Sequence, residues 1–245
     1  MDSPDIALVS LPAGDYVVGD DNHPLCRPAH TVTLRAFGVG RTAVTNAEFA
    51  AFVGAGGYRQ PTYWSAIGWR WRESKSAFMP AFWGDPRFDA PEQPVIGVCW
   101  YEAQAFCQWL TDVTGQPWRL PAEVEWEAAA RQPGEGVPHS AGMRPAQPIA
   151  ASDVGYVTAA GAHNLLGNVW EWCSTRWGRN WQTLDYAYPY TADDGREDLS
   201  GSAARIIRGG SWFDPLSQAK PHIRARYLPG SRASNIGFRL ACSLA

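Results

Sequence analysis

The pattern of apolar and polar positions near the N-terminus predicts short strands followed by a helix. Within residues 6–40, apolar and polar residues alternate in two stretches, and the Pro12-Ala13-Gly14 turn interrupts the alternation. Such alternation is typical of half-buried strands. Thr45 and Glu48 then stand three residues apart, which is the spacing of a capping box. A helix is therefore predicted to begin at Thr45 and to end at Gly56-Gly57.

Helical periodicity returns further along the chain. Between residues 100 and 111, apolar residues fall at i, i+3, i+4 and i+7, namely at Ala103, Phe106, Cys107 and Leu110. Pro121 stands at a helix-start position and predicts another helix over about 122–131. Residues 58–97 are aromatic and proline-rich without a sustained period, so we predict a structured loop there. Beyond residue 132 we expect loops and short strands.

Composition refines this picture towards an irregular α+β fold. The 245 residues include 13 tryptophans, 24 glycines and 19 prolines. Glycine and proline divide the chain into short pieces joined by turns, and tryptophan supplies buried area to segments with little regular structure. Neither a tandem repeat nor a linker is visible, so residues 1–245 are predicted to form a single domain.

Charge and cysteine content exclude several function classes. With 24 acidic and 21 basic residues the net charge is −3, whereas nucleic-acid binders are usually strongly basic, so no nucleic-acid partner is expected. No apolar run of about 18 residues predicts a membrane span, and the N-terminus lacks the features of a secretory signal. Five cysteines without a Cys-x-x-Cys pair predict reduced, mostly buried thiols in a cytoplasmic protein.

Several segments resemble, in order, the motifs of the formylglycine-generating-enzyme family, also called the sulfatase-modifying-factor domain. They are LPAGDYVVGDDN, RTAVTNAEFAAFV, PVIGVCWYEAQAFCQWL, WRLPAEVEWEAAAR, NLLGNVWEWC, RIIRGGSW and RASNIGFRLA. Their order and spacing match the family over essentially the whole chain. The resemblance implies an irregular α+β, C-type-lectin-like fold, which agrees with the loop-rich, tryptophan-rich composition.

The resemblance also identifies where catalytic residues would stand. In the oxidase of this family, two cysteines after the Gly-Gly-Ser motif bind copper and oxidise a substrate cysteine. Counted from Gly209-Gly210-Ser211, those positions hold Asp214 and Ala219. A carboxylate and a methyl group cannot replace two soft thiolates. We therefore expect no formylglycine-generating activity and no bound copper.

Two further branches of the family leave the function open. One makes sulfoxides in ergothioneine synthesis and holds iron with histidines largely from an additional helical domain. The five histidines here lack metal-like short spacing, so iron is not expected, although a site assembled from distant histidines stays open. The other branch is non-catalytic and includes the variable proteins of diversity-generating retroelements. The segments YPYTADDGRED (residues 188–198) and RIIRGGSW (residues 205–212) resemble that group most.

Further site residues follow from the resemblance. Asn164, Gly167, Val169 and Glu171 match a calcium site of the oxidase, and hard oxygen ligands suit Ca²⁺. A structural calcium ion is therefore one expectation, and hydrogen bonding by Glu171 without an ion is the alternative. Trp170 and Ser211 match residues that line the oxidase's active pocket. With the cysteines absent, they are either core residues or the wall of a surviving ligand pocket.

The leading hypothesis is a binding function without catalysis. A rigid scaffold would present the loop surface 212–235, with parts of 58–90, to a protein or a small-molecule ligand. The candidate ligand-binding residues are Trp212, Phe213, Asp214, His222, Arg224, Arg226, Tyr227 and Arg232. The alternative is an oxygen-dependent metalloenzyme that acts on a small molecule or peptide. Metal analysis of the pure protein would discriminate between the two.

Overall fold

The computed structural model describes residues 4–244, and in that range it contains four α-helices, three short 3-10 helices and eleven short strands. The helices are α1 (Asn46–Gly54), α2 (Ala66–Ser74), α3 (Trp100–Thr114) and α4 (Glu123–Ala130). The strands are β1 (Leu8–Leu11), β2 (Gly14–Val18), β3 (His30–Leu34), β4 (Phe37–Gly40), β5 (Gly134–Gly136), β6 (Tyr156–Thr158), β7 (Trp170–Gly178), β8 (Ala204–Arg208), β9 (Ala225–Tyr227), β10 (Ile236–Phe238) and β11 (Ala241–Ser243). Long loops connect them, so the predicted irregular α+β fold is confirmed.

The largest sheet has four strands in the order β10-β7-β8-β9. β7 is nearly continuously buried, because β10 and β8 pair with its two edges and other elements cover its faces. β10 and β9 are the two edge strands, and β9 pairs antiparallel with β8. A three-stranded sheet, β1-β4-β11, joins the two ends of the chain, and two hairpin-like pairs complete the strand inventory of the described residues.

The helix boundaries follow the polar signals of the sequence closely. Thr45 caps α1, since its hydroxyl accepts from the Glu48 amide at 3.2 Å and Glu48 accepts from the Thr45 amide at 2.7 Å. Glu102 likewise accepts from the Cys99 amide, at 2.7 Å, ahead of α3. The predicted helices at 100–111 and 122–131 are confirmed, with α3 running three residues longer than expected.

The structured loop predicted over residues 58–97 is wrong in one respect, because the segment contains α2. Ser65 caps this helix by accepting from the Gly68 amide at 3.2 Å. The helix is held by tertiary contacts, among them the Trp71 indole, which donates to the Gly230 carbonyl at 3.2 Å. That contact joins residues far apart in sequence, so no local periodicity could reveal it.

Two large apolar clusters form the core, and each contains residues from both halves of the chain. The first is aromatic: the rings of Phe49 and Phe106 stack with centroids 5.3 Å apart, and Phe238 meets both edge-on. Trp172 on β7 is completely buried there. All five cysteines are buried with free thiols. Within residues 4–244, no helix is both long and apolar enough to span a bilayer.

Candidate ligand-binding site

A cavity of about 540 Å³ lies over one end of the four-stranded sheet. Its apolar wall comes from neighbouring strands: Trp170 on β7, Ile207 on β8 and Ala225 on β9. The remaining lining residues come from β9 and from three loops, and they are Trp181, Asp214, Arg226, Tyr227, Leu228, Ser231 and Asn235. The site thus has an aromatic and aliphatic surface with one acidic and one basic side chain.

The loop that carries Asp214 is shaped by two glycines. Gly209 and Gly210 have φ angles of +109° and +74°, a region that side-chain-bearing residues rarely adopt. A Cβ atom at Gly210 would lie 3.0 Å from the backbone of Gln218 and Ala219. The glycines therefore permit the tight turn that leads from β8 to Ser211 and Asp214.

Asp214 is held in place by the residues predicted as pocket residues. The Trp170 indole donates to Oδ2 of Asp214 at 2.8 Å, and the Ser211 hydroxyl donates to the same oxygen. The Ser211 hydroxyl accepts in turn from the side-chain Nδ2 of Asn235 at 3.1 Å. Both bonds to the carboxylate use Oδ2, so its orientation is fixed while Oδ1 accepts no hydrogen bond from the described residues.

Arg226 provides the positive charge of the site. Its Nε donates to the Trp181 carbonyl at 2.8 Å, and its guanidinium lies over the Trp177 ring at 4.8 Å. Stacking and one hydrogen bond place the group without neutralising it, since neither partner carries a charge. The cavity therefore presents a carboxylate and a guanidinium among aromatic rings.

Trp212 and Phe213 lie beside this cavity without lining it. Trp212 is half-buried against Phe88, with ring centroids 6.1 Å apart, and its indole donates to the Ser234 carbonyl at 3.4 Å. The side chain of Phe213 is 68% exposed. Of the eight predicted ligand-binding residues, Asp214, Arg226 and Tyr227 meet at the cavity.

The prediction that Arg224 contacts a ligand is wrong, because its side chain is fully buried. It forms a bidentate pair with Glu123 of α4 at 2.7 and 2.8 Å and also donates to the carbonyls of Leu25 and Tyr186. Arg208 extends this network by pairing with Glu127, one turn further along α4. Although burial alone would raise it, Arg208 and Arg131 hold the pKa of Glu127 below its ordinary value.

Arg232 and His222, two further predicted ligand-binding residues, do not line the cavity. Arg232 pairs bidentately with buried Glu102 on α3, where Tyr58 donates to the same carboxylate. His222 lies outside the cavity, with Nδ1 3.3 Å from Asp20 Oδ2. Burial lowers the pKa of His222 in spite of that carboxylate. An arginine in a loop sequence does not reveal whether a distant glutamate pairs with it.

Six of the ten cavity residues were not among the candidates named from the sequence, although four of them lie within the predicted loop surface 212–235. They are Trp181, Ile207, Ala225, Leu228, Ser231 and Asn235. Trp181 and Leu228 are exposed apolar residues, 51% and 44% accessible. Sequence alone cannot separate such residues from core residues, since both are apolar positions in loops. Asn235 lies within the family-like segment RASNIGFRLA, and that position was its only sequence signal.

The residues of the expected calcium site occupy one buried loop and the start of β7. Glu171 accepts from Arg239 at 2.6 and 2.7 Å and from the Trp126 indole at 2.7 Å. Asn164 instead accepts from the amides of Gly155 and Tyr156, both at 3.1 Å. Gly167 and Val169 lie between these two residues in the same buried loop. A calcium ion at this loop would share the Glu171 carboxylate with the guanidinium of Arg239. Calcium binding stays a prediction.

The positions that correspond to the copper-binding cysteines do not fit copper. Asp214 lies on the cavity wall, and Ala219 is buried with 3% of its surface exposed. Neither side chain offers a thiolate. Among residues 4–244, no three His, Cys, Asp or Glu side chains are grouped as a metal site requires.

Comparisons with known proteins agree with this architecture. The family model described as "Sulfatase-modifying factor enzyme 1-like domain" matches residues 3–152 and 137–244. The hercynine oxygenase of Mycolicibacterium thermoresistibile is 36% identical over 88% of this chain and 52% of its own length. The formylglycine-generating enzyme of Streptomyces coelicolor is 30% identical over 95% of this chain and 88% of its own.

Solved structures support the same fold. Treponema denticola variable protein 1 superposes with a TM-score of 0.69 and 23% identity, covering 97% of this chain and 95% of its own. The chain spans only about half of the hercynine oxygenase named above. Similarity of sequence along the whole chain, together with the observed fold, shows that this protein belongs to the sulfatase-modifying factor enzyme 1-like family and has the C-type-lectin-like fold of formylglycine-generating enzymes.

Proposed function

We propose that this protein binds a small ligand bearing an ammonium group in the cavity between Trp170, Trp181 and Asp214. The observation that carries the proposal is the geometry of Asp214. Both of its hydrogen bonds fall on Oδ2, and the carboxylate lies on a wall shared with aromatic rings. A carboxylate accepts more bonds than that, so a cationic ligand can supply the missing donor or charge.

The surrounding rings suit the same kind of ligand. An ammonium or trimethylammonium group is attracted to the faces of tryptophan and tyrosine, and that attraction increases when the cation is desolvated. Arg226 in the same cavity can receive a carboxylate of the ligand. The complementary ligand is therefore a small amino-acid-like molecule that carries both charges, and a cavity of about 540 Å³ has the volume of typical small-molecule sites.

Similarity to named relatives supports a choice of first ligand. Three relatives of this chain, 33–36% identical, are hercynine oxygenases. Hercynine itself is a betaine with a quaternary ammonium and a carboxylate, which fits the charges of the cavity. The chain spans about half to three fifths of those relatives, so binding of hercynine by this chain is part of the proposal.

A second candidate is oxygenation of the bound ligand by a metal centre, which the identity to hercynine oxygenases favours. The described residues do not group three metal-ligating side chains, so this candidate requires ligands from outside them. Stoichiometric iron in the purified protein, together with oxygen consumption in the presence of hercynine, would favour it. Binding of hercynine without iron would favour the binding function.

Calorimetric titration tests the proposed binding. Hercynine, histidine and tetramethylammonium are each titrated into the wild type, Asp214→Asn and the control Asp193→Asn. Asp193 is an exposed aspartate that does not line the cavity, so its replacement controls for loss of one negative charge. We expect Asp214→Asn to weaken hercynine about tenfold or more, as loss of a charge-assisted contact does, and the control to bind normally.

Two results would contradict the proposal. Wild-type protein that fails to bind any of the three probes has no ammonium site. Equal affinity of wild type and Asp214→Asn for hercynine would show that the ligand binds away from Asp214. Circular dichroism of each variant verifies that the fold is retained.

A further inference from the structure

A second, more open cavity of about 700 Å³ adjoins the first one. The two share Leu228 and Ser231 of the loop after β9. One face of α2 forms the opposite wall, because Ile67, Arg70, Trp71 and Ser74 stand at i, i+3, i+4 and i+7. The Trp71 indole donates to the Gly230 carbonyl and so fixes α2 against the shared loop. The two cavities therefore meet at this loop, and together they are called the trench below.

The second cavity is basic. Arg70, Lys75 and Arg179 line it, and none of its lining residues is acidic. Arg179 is already paired with Asp185 at 2.7 Å. Arg70 and Lys75 are exposed and form no ion pair with any described residue. Lys75 follows the last turn of α2, where the carbonyl groups at the helix C-terminus partly offset its positive charge. The charge of Arg70 is less offset than that of Lys75.

We infer that this trench binds an elongated ligand with an anionic group, a carboxylate or sulfonate, in the second cavity. This inference rests on the proposed function, since the cationic end of the same ligand occupies the Asp214 cavity. The first cavity contains both Asp214 and Arg226, whereas the second contains Arg70, Lys75 and Arg179 with no acidic lining residue, so a cationic group is favoured only beside Asp214 and an anionic group at the other end of a longer ligand is favoured in the second cavity. A dipolar ligand laid across Leu228 and Ser231 satisfies both ends, whereas the reversed orientation places like charges together.

The order of the contributions follows from the geometry. Arg70 offers a planar fork that matches a carboxylate bidentately, while Lys75 acts as a point charge. Replacement of Arg70 should therefore weaken the anionic end more than replacement of Lys75. Trp71, on the same wall of α2, gives the connecting chain of the ligand an apolar surface.

Matched synthetic probes test the inference by calorimetry. Trimethylammonio-alkanoates of increasing chain length are compared with alkyltrimethylammonium ions and with alkanoates of the same lengths. The variants are Arg70→Ala/Lys75→Ala, Asp214→Asn and the control Arg35→Ala, an exposed arginine that lines neither cavity. At the optimal length, we expect the dipolar probe to bind wild type about tenfold more tightly than the cation alone. The double variant should lose that advantage and still bind the cation normally.

Every outcome decides one of the two proposals. If dipolar probe and cation bind wild type equally at all lengths, or if the advantage survives in Arg70→Ala/Lys75→Ala, the second cavity is not an anion site. If the cation does not bind but alkanoate binding is lost in the double variant, the proposed function is wrong and the anion site stands. If Arg35→Ala loses as much affinity for the dipolar probe as the double variant does, the loss is caused by net charge and not by the second cavity.

Discussion

Replacement of Arg224 should destabilise the protein without affecting ligand binding. Arg224→Met retains an unbranched apolar side chain and removes the guanidinium group, whose carbon lies 4.2 Å from the centroid of the Tyr188 ring. Glu123 then stays fully buried without its bidentate partner. Breaking such a pair costs about 3–5 kcal/mol in other proteins. Because Arg208 lies 3.9 Å from the same carboxylate, we expect the lower end, about 3 kcal/mol.

Urea denaturation followed by circular dichroism measures this loss, and thermal melting provides a second estimate. For a chain of this size, about 3 kcal/mol corresponds to a melting temperature lowered by roughly 6–12 °C. Arg179→Met is the matched control, since it removes an arginine from an exposed bidentate pair with Asp185. Its denaturation midpoint should not change.

The double variant Arg224→Met/Glu123→Met separates loss of an ion pair from loss of packing. Removal of both charges takes away the unpaired buried carboxylate, so the double variant should be more stable than Arg224→Met alone. The reasoning would be refuted if Arg224→Met and Arg179→Met had the same midpoint. It would also be refuted if Arg224→Met folded normally and lost affinity for hercynine, because Arg224 would then be a ligand contact after all.

Four further outcomes are expected. Incubation with copper, a reductant and a Cys-x-Pro-x-Arg peptide should leave the cysteine unchanged, and formylglycine detected by mass spectrometry would contradict this. If calcium binds at Glu171, a hundredfold excess of calcium over its dissociation constant should add about 2.7 kcal/mol to the free energy of unfolding. Glu171→Gln should abolish the resulting rise in melting temperature. A melting temperature that responds to neither calcium nor chelator would contradict a calcium site. Phe213→Ala/Tyr227→Ala should cost little stability because both rings are exposed, whereas Trp172→Ala should cost about 3–5 kcal/mol; equal losses would show that the loop packs inward. Burial lowers the pKa of His222 in the folded state below 6.5. As the pH falls, the unfolded chain therefore binds a proton at this histidine before the folded chain does, and the free energy of unfolding should decrease from pH 7 to pH 5. An equally steep decrease in His222→Gln would show that other groups cause it.

The sequence by itself determined the local structure of this protein. The Thr45–Glu48 capping box, the apolar stripe of α3 and the alternation before residue 40 each involve residues within a few positions of one another. Composition correctly indicated an irregular fold, and the ordered family motifs identified its type. The absence of cysteine at positions 214 and 219 is likewise a fact of sequence.

Tertiary structure decided which charged and aromatic residues face the ligand cavity. Arg224 and Arg226 are two residues apart, yet one pairs with Glu123 across 101 positions and the other lies in the cavity. Burial of a charged group depends on whether a distant partner offsets its desolvation, and no local pattern records that partner. The helix α2 and the basic trench depend in the same way on contacts with residues 228–231. Sequence sets local conformation, whereas long-range pairing sets which side chains remain available for binding.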